Sequence, residues 1–321
     1  MSKQVPIKKL VSAPSISTSE KQLFQEILRI RQFSSESLLL PKNGSYSSFV
    51  DLERDYVVWN VFATPEFSLH PINSCFLVVG CLQYKGFFAE QDALEFAAEL
   101  REAGNDVYLG GVSAYSTLGW FDDPILSSML KYGKLRLAEV MFHELAHQLI
   151  YIKDDSAFNE AFATAVGDFG VRRWLQESSS GSDLSKFEKN KEWEQHFLKL
   201  VLAAKQKLER LYASNKPEKQ MLLQKQHIYG ALKAGYIELK QRWDNPPNYD
   251  KWMSHDLNNA KIASVATYHD LAGAFTSLLA LSENDLVLFY KRVRFLGTLT
   301  KEQRHSCLEN LTSIPHCYRQ D

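Results

Sequence analysis

Val140-Met-Phe-His-Glu-Leu-Ala-His-Gln-Leu149 carries His143, Glu144 and His147 in the pattern HExxH, on a run that no proline and no other charge interrupts. On a helix, residues four apart are separated by about 6 Å of rise and about 40° of rotation, so both imidazoles point the same way. Two such nitrogens can share one zinc ion. Glu144 is turned about 100° from His143 and lies beside the ion, where it can hold and deprotonate a zinc-bound water. A carboxylate in an apolar helix is costly unless it is compensated. Function explains that cost better than packing does.

A third ligand is required, with the fourth position left for water. Downstream lies Phe158-Asn-Glu-Ala-Phe-Ala-Thr-Ala165, with Glu160 13 residues after His147. That gap lets the first helix end, turn at Asp154-Asp-Ser156, and return as an antiparallel helix aiming Glu160 at the same metal. Ala161 and Ala163 permit close approach of the two helices. Asp154 and Asp155 are rival carboxylates, but Asp or Ser just before a helix is a standard N-cap.

Outward from the motif, apolar helices are expected over 135–152 and 157–175, then two long amphipathic ones over 185–211 and 218–243 around Asn215-Lys-Pro217. The long pair reads as a solvated cover over the core. Upstream, a helix over 19–40 precedes strand-like runs at 56–62, 75–79 and 107–115, with a helix over 90–103 closed by Gly104. The expected class is α+β: residues 1–133 an N-terminal α+β part with an early mixed sheet, 134–180 the metal-binding helix pair, and 181–321 a helical C-terminal part.

The chain has 321 residues, 45% hydrophobic, and a formal net charge of −1. That suffices for a substantial core and gives no electrostatic reason for a nucleic-acid partner. No run of 18 apolar residues spans a bilayer. Met1 to Leu10 lacks the apolar core of a secretory signal, which by itself reads as a cytoplasmic start. Cys75 and Cys81 would stand roughly 20 Å apart on a straight strand, so a bridge between them needs an intervening turn. His305, Cys307, His316 and Cys317 match no common zinc spacing, and a Cys307–Cys317 disulfide or a pair of free thiols is the expected state.

HExxH followed by Asn159-Glu160-Ala-Phe-Ala163 (NExxA) resembles the gluzincin metallopeptidases. The resemblance implies a zincin-like fold, one Zn²⁺ per chain held by His143, His147 and Glu160, and Glu144 as base. Thr164 stands where thermolysin, of that family, has an aspartate behind a ligand histidine. Gluzincins also supply a Tyr or His from a later domain to the oxyanion, which implies that role for Tyr268, with His269 beside Asp270 as second choice. In zincins an edge strand before the motif helix pairs with substrate, which would make Ala114 and Tyr115 substrate-binding; a plain internal strand is the other reading.

Asn43-Gly-Ser-Tyr46, Tyr56-Val-Val-Trp-Asn-Val-Phe-Ala63, Tyr115-Ser-Thr-Leu-Gly-Trp-Phe-Asp-Asp-Pro124 and Ala263-Ser-Val-Ala-Thr-Tyr-His-Asp270 are similar to the predicted bacterial aminopeptidase family over nearly the whole chain. That resemblance implies a peptide substrate and a periplasmic or membrane-anchored lipoprotein whose leader and lipidated cysteine would precede Met1. Glu66, Asp122 and Asp123 are the acids near turns that could hold a free amine, while the GxMEN anchor of the best-known gluzincin aminopeptidases is absent. The alternatives are an endopeptidase, another amide hydrolase, or a zinc-holding envelope protein that binds peptide or cell-wall partners without cutting.

Overall fold

The computed structural model describes residues 4–76, 80–114, 116–131, 133–178, 180–243, 249–254, 257–269 and 271–311. The first elements are β1 (Val5–Pro6), α1 (Ile7–Ser12), α2 (Thr18–Glu36), β2 (Ser48–Val50), β3 (Val58–Pro65), β4 (Ser74–Phe76), β5 (Gly80–Leu82) and β6 (Lys85–Phe87). Then come α3 (Glu90–Glu102), β7 (Asn105–Val112), β8 (Ile125–Leu126), α4 (Ser127–Leu130), α5 (Gly133–Leu149) and α6 (Ser156–Glu177). The remainder is helical: α7 (Gly181–Tyr212), α8 (Glu218–Gln241), α9 (Asp250–Ser254), α10 (Asn259–His269), α11 (Ala272–Leu281), α12 (Leu286–Thr298) and α13 (Lys301–Glu309). Two compact units each gather separated segments, Met1–Val58 with Gly111–Ser179 and Asp270–Asp321 in the first, Trp59–Gly110 with Ser180–His269 in the second.

In the first unit, α2 begins with a reciprocal capping box: the Ser17 hydroxyl accepts from Glu20 N–H, and the Glu20 carboxylate accepts from Ser17 N–H at 3.0 Å. Its buried face carries Phe24, Ile27 and Ile30 at helical spacing. A small sheet runs β1-β2-β8, with β1 antiparallel and β8 parallel to β2. Helix α6 is buried nearly all round, with Phe158, Ala161, Phe162, Ala165, Val166 and Val171 inside. Phe158 and Phe162 pack edge-on against Phe275 of α11, and Phe162 also meets Phe289 of α12. Two glycines let α6 lie close against α5. A Cβ on Gly167 would sit 3.1 Å from the Glu139 carbonyl oxygen, and one on Gly170 would sit 2.6 Å from both Leu38 and Phe142.

In the second unit the sheet runs β6-β3-β7, and α3 covers it by burying Ala93 and Ala97 against Val61, Ala63 and Val107. The long helices α7 and α8 pair with each other and bury Val201, Leu208, Tyr229 and Leu232. A polar knot sits within this unit. Buried Lys225 meets the Asp106 carboxylate at 2.7 Å, and Asn259 accepts from the Tyr212 and Tyr229 hydroxyls at 2.8 and 2.6 Å. Every member has a partner, as a buried polar group requires.

The early strands form three small groups, with β4 and β5 as a separate antiparallel hairpin. That hairpin brings Cys75 opposite Cys81, and the two are disulfide-bonded, with Cα atoms 3.9 Å apart. The strand expected through 115 ends at Val112, because the Ser113 carbonyl accepts from the Ser128 hydroxyl at 2.6 Å instead of joining a ladder.

Candidate metal centre

Helices α5 and α6 are joined by a turn that the Asn159 side chain closes. Its carbonyl accepts from Ile152 N–H at 2.8 Å and its amide donates to the Ile152 carbonyl at 2.7 Å, as a paired strand would. The neighbouring Glu160 is thereby fixed against the end of α5. Asp155 caps α6 by accepting from Phe158 N–H. It is fully buried and is held by Arg304 at 2.7 Å and His305 at 2.9 Å, both on α13. Burial would raise its pKa, but the bonds from His305 and Arg304 hold it below the usual carboxylate value. This rules Asp155 out as the third ligand.

Three ligand atoms converge between the helices. His143 Nε2 lies 3.2 Å from Glu160 Oε2, His147 Nε2 lies 3.1 Å from His143 Nε2, and His147 Nε2 lies 3.6 Å from Glu160 Oε2. A tetrahedral ion bound by nitrogen and oxygen at about 2.0–2.1 Å sets its ligand atoms about 3.3–3.4 Å apart. The cluster has that size, and it is the one His/Cys/Asp/Glu group among the described residues that could hold a metal. Buried imidazole nitrogens facing each other need a shared proton or cation between them. The residues fit a divalent metal.

The charges agree. Burial pushes the Glu160 carboxyl up, but His147 and His143 outweigh it and hold Glu160 far below the usual value, so it stays an anionic donor. Burial would lower His147, but the Glu160 carboxylate raises it, and that attraction is the one a cation would replace. Glu144 is pushed up chiefly by burial, with the histidines opposing and Glu160 and Asp123 adding to it. A carboxyl shifted in that direction is better matched to general-base work near neutrality. The ring of His147 is nearly buried, and among the described residues its Nδ1 has no partner. Ligand histidines ordinarily donate that N–H to a carboxylate or carbonyl. Thr164 stands where the gluzincin pattern carries an aspartate, and no carboxylate takes that N–H among the described residues.

A second layer was not visible in the motif. Gln148 accepts from the Asn43 amide at 2.8 Å and donates to Ser45 Oγ and to Asp123 Oδ2, each at 3.2 Å. Thr117 N–H also donates to Asp123 at 3.0 Å, and the Arg31 guanidinium donates to the Ser45 carbonyl at 2.7 Å and to Asn43 Oδ1 at 3.1 Å. Segments 43–46 and 117–123 are therefore tied to α5 one residue beyond His147. The turn-rich Asn43-Gly-Ser and Asp122-Asp-Pro124 signal loops, but not which helix they clasp.

The other expected residues fall elsewhere. Asp123 is 3% exposed and already engaged by Thr117 and Gln148, so it serves the loops rather than a substrate amine. Asp122 is exposed and Glu66 belongs to the second unit. Ala114 is buried beyond the end of β7, and Tyr115 lies outside the described residues. Tyr268 and His269 end α10, but their side chains and Asp270 lie outside the described residues, as do His316 and Cys317. His305 is bonded to Asp155, which leaves it no role in a second metal site.

No curated protein and no solved structure matches this chain. A family model described as "Putative aminopeptidase" matches residues 1–308. With nearly the whole length matched, and a histidine–glutamate cluster able to hold a metal inside the matched region, the chain belongs to this family.

Proposed function

We propose that the protein is a single-zinc peptidase of zincin-like fold. The observation that carries this is the convergence of His143, His147 and Glu160 at tetrahedral ligand spacing, with Glu144 on the same helix. Those three residues would hold the ion. When bound, zinc polarises the substrate carbonyl and lowers the pKa of a water toward neutrality. Glu144 takes the proton from the attacking water and returns it to the leaving amine. Tyr268, with His269 as second choice, is assigned to the developing oxyanion on resemblance alone.

Family membership supports peptides as substrates and removal of N-terminal residues as the mode of cleavage. The reading places the protein in the periplasm or on a lipid anchor, and the Cys75–Cys81 disulfide suits an oxidising compartment. Among the described residues no helix is long and apolar enough to cross a membrane.

The test is hydrolysis of a peptide library by zinc-loaded protein, each peptide supplied with a free and an acetylated N-terminus and read by mass spectrometry. Loss of single N-terminal residues from free peptides alone is expected. Internal cuts in both forms would make it an endopeptidase. No cut by zinc-loaded protein would sink the peptidase reading and leave a zinc-holding binding protein. Glu144→Gln should retain zinc and lose at least about 10²-fold in rate; loss of zinc in that variant would make Glu144 structural.

A further inference from the structure

Two large aromatic side chains stand in water next to each other. Trp120 and Phe121 are 73% and 75% exposed, more than any other large apolar residue described. The backbone beneath them is fixed. Trp120 N–H donates to the Thr117 carbonyl at 3.1 Å and closes a tight turn whose central residues, Leu118 and Gly119, have φ of +55° and +83°. Thr117 N–H donates to Asp123 Oδ2 at 3.0 Å, Leu118 N–H to Ser116 Oγ at 3.2 Å, and Phe121 N–H to Thr117 Oγ1 at 3.1 Å. A left-handed leucine is strained, and strain held this firmly gathers at working positions. The turn holds the aromatic pair out of the core.

The place of the turn identifies that work. A Cβ on Gly119 would lie 3.7 Å from Gln148 Cγ and 3.8 Å from Gln148 Cβ, so the turn rests directly on that side chain of α5. The far end of the loop is tied there too: Gln148 donates to Asp123 Oδ2 at 3.2 Å, and Tyr46 N–H donates to the Asp123 carbonyl at 2.6 Å. Gln148 follows His147 directly and stands four residues after Glu144, so it shares the helix face of that carboxylate. With neighbouring Cα atoms 3.8 Å apart, the turn lies on the order of 10 Å from the ligand histidine, about three residues of extended peptide. The segment from Ser116 to Pro124 carries Asp122 and Asp123 and no lysine or arginine. Aromatic residues that dock on anionic lipid are ordinarily flanked by basic ones, so a peptide is favoured over a membrane surface.

We infer that Trp120 and Phe121 are specificity-determining residues of the candidate site: they cover a bulky apolar side chain of the peptide, one within about three residues of the cleaved bond. This rests on the peptidase reading and names its substrate class, peptides with leucine, phenylalanine or a similar side chain at that place. Covering such a side chain removes apolar area of both partners from water, whereas glycine or aspartate offers no such gain. Because the turn is already tied down, little freedom is lost when the aromatic pair closes on its ligand.

The experiment compares zinc-loaded wild type with the double variant Trp120→Ala/Phe121→Ala on free-amine peptides that carry leucine, phenylalanine, glycine or aspartate at each position around the cut. Both side chains lie in solvent, so the variant should keep its zinc content and melting temperature. At one position wild type should prefer leucine or phenylalanine to glycine by about tenfold or more in kcat/KM, and the variant should lose about tenfold of that ratio. A readout without turnover is the binding of the preferred peptide, free of tryptophan, to zinc-loaded Glu144→Gln. Its tryptophan fluorescence should change on binding, and adding Trp120→Ala should abolish that change and raise Kd about tenfold. No apolar preference in wild type, an unchanged ratio in the variant, or equal losses on leucine and glycine peptides overturns the inference and leaves the peptidase reading standing. Wild type that cuts no peptide removes both. Binding to vesicles of phosphatidylethanolamine and phosphatidylglycerol that the double variant loses, with its peptide preference intact, overturns the inference in favour of a lipid surface.

Discussion

Replacing Asp155 tests how the metal helix pair is held. Asp155→Ala deletes the N-cap of α6, worth about 1 kcal/mol. It also leaves the buried Arg304 guanidinium without its carboxylate, and breaking one side of a buried pair costs about 3–5 kcal/mol. Arg304 keeps the Leu299 carbonyl at 2.8 Å, which places the loss at the lower end, about 4 kcal/mol for both effects together. Asp155→Asn separates them, because Asn caps as well as Asp but carries no charge, so it should recover about 1 kcal/mol. Urea unfolding should show the midpoint of the alanine variant falling by more than about 1 M. Chelator competition should show weaker metal retention, since Glu160 rides in the second turn of the helix that has lost its cap. The folded pKa of Asp155 is depressed, so its contribution is present above about pH 4 and disappears as pH falls through the folded value. The gap between wild type and Asp155→Asn should therefore close in acid. A loss below about 1 kcal/mol for Asp155→Ala, with metal retention intact, would refute the argument.

Glu160→Gln should lower zinc affinity by at least about 10²-fold, seen by metal analysis after dialysis, because an anionic ligand is replaced by a neutral one with folding unaffected. Gly167→Val should force α6 away from α5, since even a Cβ there stands 3.1 Å from the Glu139 carbonyl oxygen and 3.7 Å from His143 Cβ; zinc retention and melting temperature should fall together. Gln148→Ala should cost about 1–3 kcal/mol by unfolding, through the lost bonds to Asn43, Ser45 and Asp123, while zinc content stays at one per chain because no ligand is touched.

The candidate metal cluster was legible because its chemistry is local. His143, Glu144 and His147 lie within one and a half helical turns, where the 3.6-residue period alone fixes their relative directions. Glu160 was within reach because only a short turn separates its helix from theirs, and the hairpin of α7 and α8 followed from Pro217 between two amphipathic runs. Asp155 was likewise readable as a cap, since Asp before a helix has a use that needs no distant partner.

What the sequence could not give were contacts between residues far apart in the chain. Nothing near Asp155 announces Arg304 and His305, nothing in Asn43-Gly-Ser-Tyr46 announces Gln148, and the Cys75–Cys81 bridge waited on a hairpin that apolar periodicity does not reveal. Nor does a linear reading show that residues 1–58, 111–179 and 270–321 gather into one unit. By itself the sequence determined which residues would form helices and which could ligate a metal, because backbone geometry and side-chain chemistry are properties of neighbours. The tertiary structure alone decided how closely α6 approaches α5, which acids are spent on loops, and where Tyr46 lies, because those depend on packing and hydrogen-bond satisfaction between separate segments, as far apart as Asn43 and Gln148.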